Sequence, residues 1–257
     1  MRLGYVLGMG EYDASKATYA LTRQGDPRIA ARVERALGDA RTVLNVGAGA
    51  GSYESRRREV TAVEPSATMH AQRPPGAVPA IEAHAEALPF EDASFDAATA
   101  ILTVHHWREP ARGLAELRRV ARGPVVVLTF DPAESEAFWL VRDYLPEIVA
   151  FDRDRLPPIA AIVQALGGAC DVERVPIPHD CRDGFLGAYW RRPELYLEPA
   201  VRPAISAFDA LPEVALERAL GQLRNDLDSG AWQRRYGGLL SLEELDIGYR
   251  LVVARPA

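Results

Sequence analysis

Four stretches of this chain are short and almost wholly apolar: Val43-Leu44-Asn45-Val46, Val60-Thr61-Ala62-Val63, Ala97 to Val104, and Val125 to Phe130. Runs of that length, bounded by turn residues, predict strands covered on both faces. Between them the period changes. Ile29, Val33, Ala36 and Leu37 fall on one helical face behind Asp26-Pro27, an N-cap followed by proline at the first helical position, and Gly38 closes the segment. Leu114, Leu117 and Val120 form the inner face of a helix over Glu109 to Arg122, which Gly123-Pro124 ends. A short helix is expected from Ser52 to Glu59. Another starts at Pro65-Ser66, turns Met69 inward and stops at Pro74-Pro75-Gly76, before a third strand near Val78 to Ala83. Alternating strands and helices predict a parallel sheet with right-handed crossovers.

After Phe130 the pattern loosens. Residues 133–149 read as a helix carrying Phe138, Trp139 and Tyr144. Pro157-Pro158 opens another through Leu166, closed by Gly167-Gly168, and Val172 to Ile177 is a strand candidate. Helices are expected around 184–190 and 213–228, and Ser241-Leu242-Glu243-Glu244 has the spacing of a capping box. Ile247 to Ala254 alternates and reads as the last strand. The stretch 179–240 concentrates Phe185, Tyr189, Trp190, Tyr196, Phe208, Trp232 and Tyr236. These aromatics fit core packing as well as a pocket.

A chain of 257 residues accommodates one large domain, or one with an insertion. The net charge of −6 argues against a broad nucleic-acid or membrane footprint. The pairs Arg191-Arg192 and Arg234-Arg235 could touch phosphates, but a solvated surface is their simpler reading. No apolar run reaches the length of a membrane span. The first residues show no secretory leader pattern, and two cysteines, Cys170 and Cys181, make neither a disulfide framework nor a metal spacing. A reducing cytoplasm is the simplest setting, and no metal is expected.

The candidate chemistry starts where the first strand runs into Gly47-Ala48-Gly49-Ala50-Gly51. Alternating glycines let a turn take unusual backbone angles and let a ligand lie against the main chain. The nearest rival is the NAD-binding fingerprint, but its spacing is G-x-G-x-x-G and here it is G-x-G-x-G. The second strand ends on Glu64, a carboxylate placed to accept hydrogen bonds from ribose hydroxyls. Then follow Ala85-Glu86-Ala87-Leu88-Pro89-Phe90, Ser94-Phe95-Asp96, and a strand ending in His105-His106-Trp107.

In that order, over residues 40 to 131, these motifs resemble the class I S-adenosylmethionine-dependent methyltransferases, most of all the small-molecule branch that includes ubiquinone/menaquinone C-methyltransferases and trans-aconitate methyltransferase. The resemblance implies a Rossmann-like α/β fold. A mostly parallel sheet would carry helices on both faces and an antiparallel last strand, with an inserted helical cap over 179–240 and a cover over 1–25, all in one domain. It implies S-adenosyl-L-methionine as cofactor and S-adenosyl-L-homocysteine as product. Cofactor contacts would come from Asn45, Gly47, Ala48, Gly49, Gly51, Glu64, Pro65, His84, Ala85, Glu86, Leu102 and Thr103. Two positions depart from the family. Asn45 stands where most members carry an acid, and it brings no charge for the ammonium end of the cofactor; it also suits satisfying the turn's own backbone. Ala83-His84 stands where an acid usually meets the adenine amino group, so the imidazole or the backbone of Ala85 would have to serve.

In an open α/β sheet, ligands sit outside the carboxyl ends of the strands. His106 is therefore the candidate general base and His105 a substrate contact, as are Tyr12, Tyr19, Trp139 and Tyr189. Strand alternation would turn the two histidines to opposite sides. The expected reaction is methyl transfer to a small molecule. The alternatives are a non-methylating protein on the same fold, serving as a cofactor-binding scaffold or a cyclase, and an NAD(P)-dependent oxidoreductase.

Overall fold

The computed structural model describes residues 23–167 and 169–256. Tyr12 and Tyr19, with nearly all of the expected cover over 1–25, lie outside the described residues. The first element is the expected helix, α1 (Pro27–Leu37). Asp26 caps it by accepting from the Arg28 N–H, Gly38 ends it at φ +56°, and Ile29, Val33, Ala36 and Leu37 are its buried residues.

Strand β1 (Thr42–Val46) pairs in parallel with β2 (Glu59–Val63), Val43 opposite Val60. No helix lies between them, contrary to the expectation for Ser52 to Glu59. Tertiary contacts override local propensity here. Glu59 is drawn into the sheet opposite Thr42. Arg58 is turned back onto Glu34 and the carbonyls of Gly38 and Ala40 at the end of α1. A short α2 (Ala67–Ala71) follows, capped by Ser66 and burying Met69. Strand β3 is only Ala80–Ile81.

Strand β4 (Ala97–Ile101) is shorter than its apolar run, because Leu102 turns to φ +52° and the chain continues as a 3-10 turn over Val104–His106. Then come α3 (Pro110–Val120) and β5 (Val125–Phe130). The expected helix over 133–149 is broken into a 3-10 segment at Pro132–Ala137, α4 (Trp139–Asp143) and α5 (Glu147–Arg155), with Pro146 between the two helices. Next are α6 (Ile159–Ala165), β6 (Cys170–Arg174) and β7 (Ile177–Pro178). Beyond lie 3-10 turns, one of them at Leu186–Tyr189 where a helix was expected, then α7 (Ser206–Asp209), α8 (Glu213–Asp228), α9 (Ala231–Tyr236), β8 (Glu244–Leu245) and β9 (Tyr249–Ala254). The capping-box reading of Ser241–Glu244 fails. Ser241 Oγ donates back to the Gly238 carbonyl, and Glu244 pairs with Pro178 in a two-stranded sheet.

The main sheet has seven strands in the order β3-β2-β1-β4-β5-β9-β6. All its pairs are parallel except those of β9, which is antiparallel to both β5 and β6. Side chains alternate across it. Val126 and Leu128 join Leu251 and Val253 in a core shared with α1, whereas Val125 and Val127 join Val252 in a core under α3 and α6. Burial on both faces explains why these strands read as continuous apolar runs.

Two segments, 132–156 and 179–243, build a lobe on the α1 face. Trp190 and Tyr196 are fully buried and Trp232 is 1 % exposed. The Trp139 ring stands edge-on to Tyr144, Tyr196 and Trp232, with centroids 5.8, 6.0 and 5.4 Å away. Each such side chain contributes about 1.5–3 kcal/mol by burial. Much of the aromatic content of 179–240 is therefore core.

Candidate active site

The loop after β1 is held from behind. The Gly47 and Ala48 N–H groups both donate to the Val63 carbonyl, at 2.8 and 3.0 Å. Gly47, Gly49 and Gly51 all have positive φ, at +68°, +53° and +85°, which is the backbone reason for three glycines. Glu64, 7 % exposed, accepts from the Gly49 N–H at 2.8 Å and from the Ser66 N–H at 3.0 Å. One carboxylate thus joins the glycine loop to the start of α2, with Pro65 beside it. The cradle has room against the main chain at Gly49, where an added Cβ would meet only the Met69 methyl, at 3.3 Å. This arrangement fits a nucleoside cofactor: bare backbone on one side, a buried acid at its edge.

Asn45 is tied to an ion pair built from the loop. Asn45 Nδ2 donates to Glu54 at 3.3 Å, while its Oδ1 accepts from Thr99 Oγ1 at 3.1 Å. Arg73 grips both oxygens of Glu54, at 2.6 and 2.7 Å, and also donates to the Gly49 carbonyl at 3.0 Å. Glu54 and Arg73 are nineteen residues apart and mostly buried. Nothing in the sequence pattern marked them.

Glu86, expected among the cofactor contacts, is engaged by the main chain. Its carboxylate accepts from the Arg108 and Glu109 N–H groups, at 2.7 and 3.1 Å, so it braces the chain before α3. Burial opposes its ionisation, but the backbone N–H groups of Glu109, Glu86 and Arg108 outweigh that and hold the carboxyl below its ordinary range. His84 is exposed, and Ala85 is buried.

The end of β4 brings both halves of the site together. Thr103 is buried against Gly47. At Leu102 before it, and again past Val104, the chain enters a second space. Leu102, His105 and His106 line a cavity at the carboxyl ends of β4 and β5, roofed by the lobe. The 3-10 turn overturns the expected alternation: the two imidazole rings lie 3.9 Å apart, centroid to centroid, and both border the cavity. His106 is the more exposed of the two.

Trp139 and Tyr189 do not line this cavity. Trp139 donates its indole N–H to the Trp190 carbonyl at 2.9 Å inside the aromatic core. Tyr189 packs edge-on to Tyr196, with the Arg192 guanidinium 5.2 Å from its ring centre. Their positions are taken by Phe130, Phe138, Phe151, Phe185 and Tyr249. The polar wall holds Arg23, Asp152 and Arg155. Arg23 is fixed by Asp183, a fully buried residue that also accepts from Tyr53 OH at 2.9 Å. Asp152, 7 % exposed, accepts from Ser135 Oγ at 2.5 Å, and burial pushes its carboxyl up to about 6. The sequence around it, Phe151-Asp152-Arg153-Asp154-Arg155, reads as a solvated helix face, so Asp152 carried no signal. Among the described residues, no cluster of three metal-ligating side chains exists and no helix is long and apolar enough to cross a membrane.

Comparison with known proteins agrees with this geometry. The family profile described as "Methyltransferase domain" matches residues 44–127. No curated protein sequence matches significantly. Among solved structures, a protein of Anabaena variabilis, described as a methyltransferase from an antibiotic biosynthesis pathway, is 34 % identical. The match covers 91 % of this chain and 99 % of that one, with a TM-score of 0.85. A protein of Bacillus halodurans described as a methyltransferase shares the fold at 14 % identity and TM-score 0.50, covering 87 % of this chain and 95 % of that one. With the glycine cradle, the acid at the end of β2 and the 3-2-1-4-5-9-6 sheet in place, the chain belongs to the class I S-adenosylmethionine-dependent methyltransferases.

Proposed function

We propose that the protein methylates a small molecule bound in the cavity under the lobe. One observation carries this reading: Thr103 abuts the glycine loop while Leu102, His105 and His106, its neighbours in sequence, line the cavity, so the cofactor cradle and the cavity share a wall. Its aromatic lining and its place at the strand ends suit a small acceptor. Bound S-adenosylmethionine supplies a methyl group already activated by its sulfonium.

The chain's own residues supply the rest. Gly47, Gly49 and Glu64 hold the cofactor, with Gly51, Ala48 and Pro65 shaping the loop and Ala85 and His84 bordering the adenine side. The lobe excludes water, and the cavity walls orient the acceptor. Where the acceptor is a hydroxyl, His106 takes its proton as the bond forms. The setting we infer is the cytoplasm.

The test is incubation with methyl-labelled S-adenosylmethionine and a small-molecule extract fractionated by size. Label in a low-mass product chromatographically distinct from the donor, and absent without the protein, is expected. Label confined to protein or nucleic acid would overturn the reading.

A further inference from the structure

One wall of the cavity has no part in holding the cofactor or in passing a proton to His106. Asp152 faces the space from α5, and its Oδ2 takes the Ser135 hydroxyl at 2.5 Å. Such a carboxylate in an apolar chamber is costly unless hydrogen-bonded. Ser135 supplies one donor to an anion that can accept several. Around it stand Phe130, Phe138, Phe151, Phe185 and Tyr249, flat walls that suit an aromatic ring.

The charge balance of the same cavity selects among donors. Arg23 and Arg155 also line it, the latter with its guanidinium 4.9 Å from the centre of the Phe151 ring. Arg23 is paired with Asp183, and Arg155 on the same wall offsets the charge of Asp152, so a cationic amine would leave the cavity with an excess positive charge. A neutral hydroxyl offers a donor and leaves that balance unchanged. Resting on the methyl-transfer reading, we propose that the acceptor is a hydroxylated aromatic molecule, that a hydroxyl other than one deprotonated by His106 donates to Asp152, and that Asp152, held by Ser135, sets the acceptor specificity of the pocket.

Phenol, toluene and benzylamine serve as probes, titrated into the protein with and without S-adenosylhomocysteine and followed by calorimetry. Phenol should bind about tenfold more tightly than toluene, the scale of one hydrogen bond to a charged group, and more tightly than benzylamine. Asp152→Asn keeps the side-chain shape and removes the charge. In that variant, whose amide oxygen still accepts a hydrogen bond but carries no charge, the phenol preference should shrink severalfold while toluene affinity and S-adenosylhomocysteine affinity stay unchanged. Ser135→Ala should also weaken it. Equal binding of phenol and toluene, a phenol preference undiminished in Asp152→Asn, a benzylamine preference, or no binding of any probe each overturns the proposal. Failure of the methyl-transfer reading shows separately, as absence of S-adenosylhomocysteine binding in the wild type.

Discussion

Gly47 and Thr103 are in contact so close that a Cβ on Gly47 would stand 2.0 Å from Thr103 Oγ1. Thr103 is buried, so it cannot swing aside. Gly47 also sits at φ +68°. Gly47→Ala therefore carries both a clash and left-handed strain, and should cost at least about 2 kcal/mol of stability. The chain downstream of Thr103 runs into the cavity wall, so any shift there misplaces the histidines as well. Denaturant unfolding with S-adenosylhomocysteine titration checks this; unchanged stability would show that the β4 end yields easily.

Gly49 gives the contrasting case. A Cβ there meets only the end of the flexible Met69 side chain, at 3.3 Å. Gly49→Ala should keep the fold at a cost of about 1–2 kcal/mol, while Gly49→Val fills the cradle and should abolish measurable S-adenosylhomocysteine binding. Calorimetry on both variants decides it, and normal binding by Gly49→Val would reduce the loop to a tight turn.

Glu64→Ala should weaken S-adenosylhomocysteine binding. On the proposed reading its carboxylate accepts from the ribose hydroxyls; it already holds the Gly49 N–H at 2.8 Å. Losing charged hydrogen bonds costs roughly 1.5–3 kcal/mol each, so affinity should fall by at least about tenfold. Equal calorimetric affinities for wild type and variant would remove Glu64 from the site.

Legibility followed distance along the chain. Helix α1, with its Asp26 cap and its four buried residues, was readable because the cap, the proline and the apolar stripe are all local. So were β5, α8 and the glycine loop. Glu64 was readable because it follows its strand directly. The missing helix between β1 and β2 was not, since Arg58 and Glu54 are claimed by residues up to 24 positions away. The cavity was the least legible part. Arg23 is fixed by Asp183 across 160 positions, and Ser135 meets Asp152 across a helix boundary. Trp139 and Tyr189 were misread as pocket residues because an aromatic in an inserted segment looks the same in sequence whether it faces ligand or core. The histidine pair was placed at the right end of the right strand, but a positive φ at Leu102 ends that strand early and undoes the alternation argument.

That turn alters what the two histidines should do. With rings 3.9 Å apart on one wall, His105 and His106 act on the same space. His106→Ala should lower kcat by roughly 10²–10⁴-fold with cofactor affinity nearly unchanged. His105→Ala should raise the acceptor KM more than it lowers kcat, since it borders the cavity from a more buried position. If the kcat loss falls on His105→Ala instead, the base is His105. If neither variant loses rate, transfer rests on orientation alone.

Asp152 gives the fold a pH dependence whose direction can be worked out. In an unfolded chain an aspartate ionises near about 3.9; burial moves Asp152 up to about 6, with the Ser135 hydroxyl opposing. Below about pH 4 the folded and unfolded chains both hold the proton, and the group has no effect. Between about 4 and 6 the unfolded chain releases a proton that the folded chain keeps, so stability falls as pH rises. Above about 6 the loss is complete, on the order of 2–3 kcal/mol. Asp152→Asn cannot ionise and should escape it. Its Tm should gain on the wild type by about 4–12 °C between pH 4 and pH 7 for a chain of this size. Thermal unfolding of both proteins across that range is the measurement. A gap that stays constant with pH would mean that the carboxyl titrates as it does in water, and that the cavity wall around it is open to solvent.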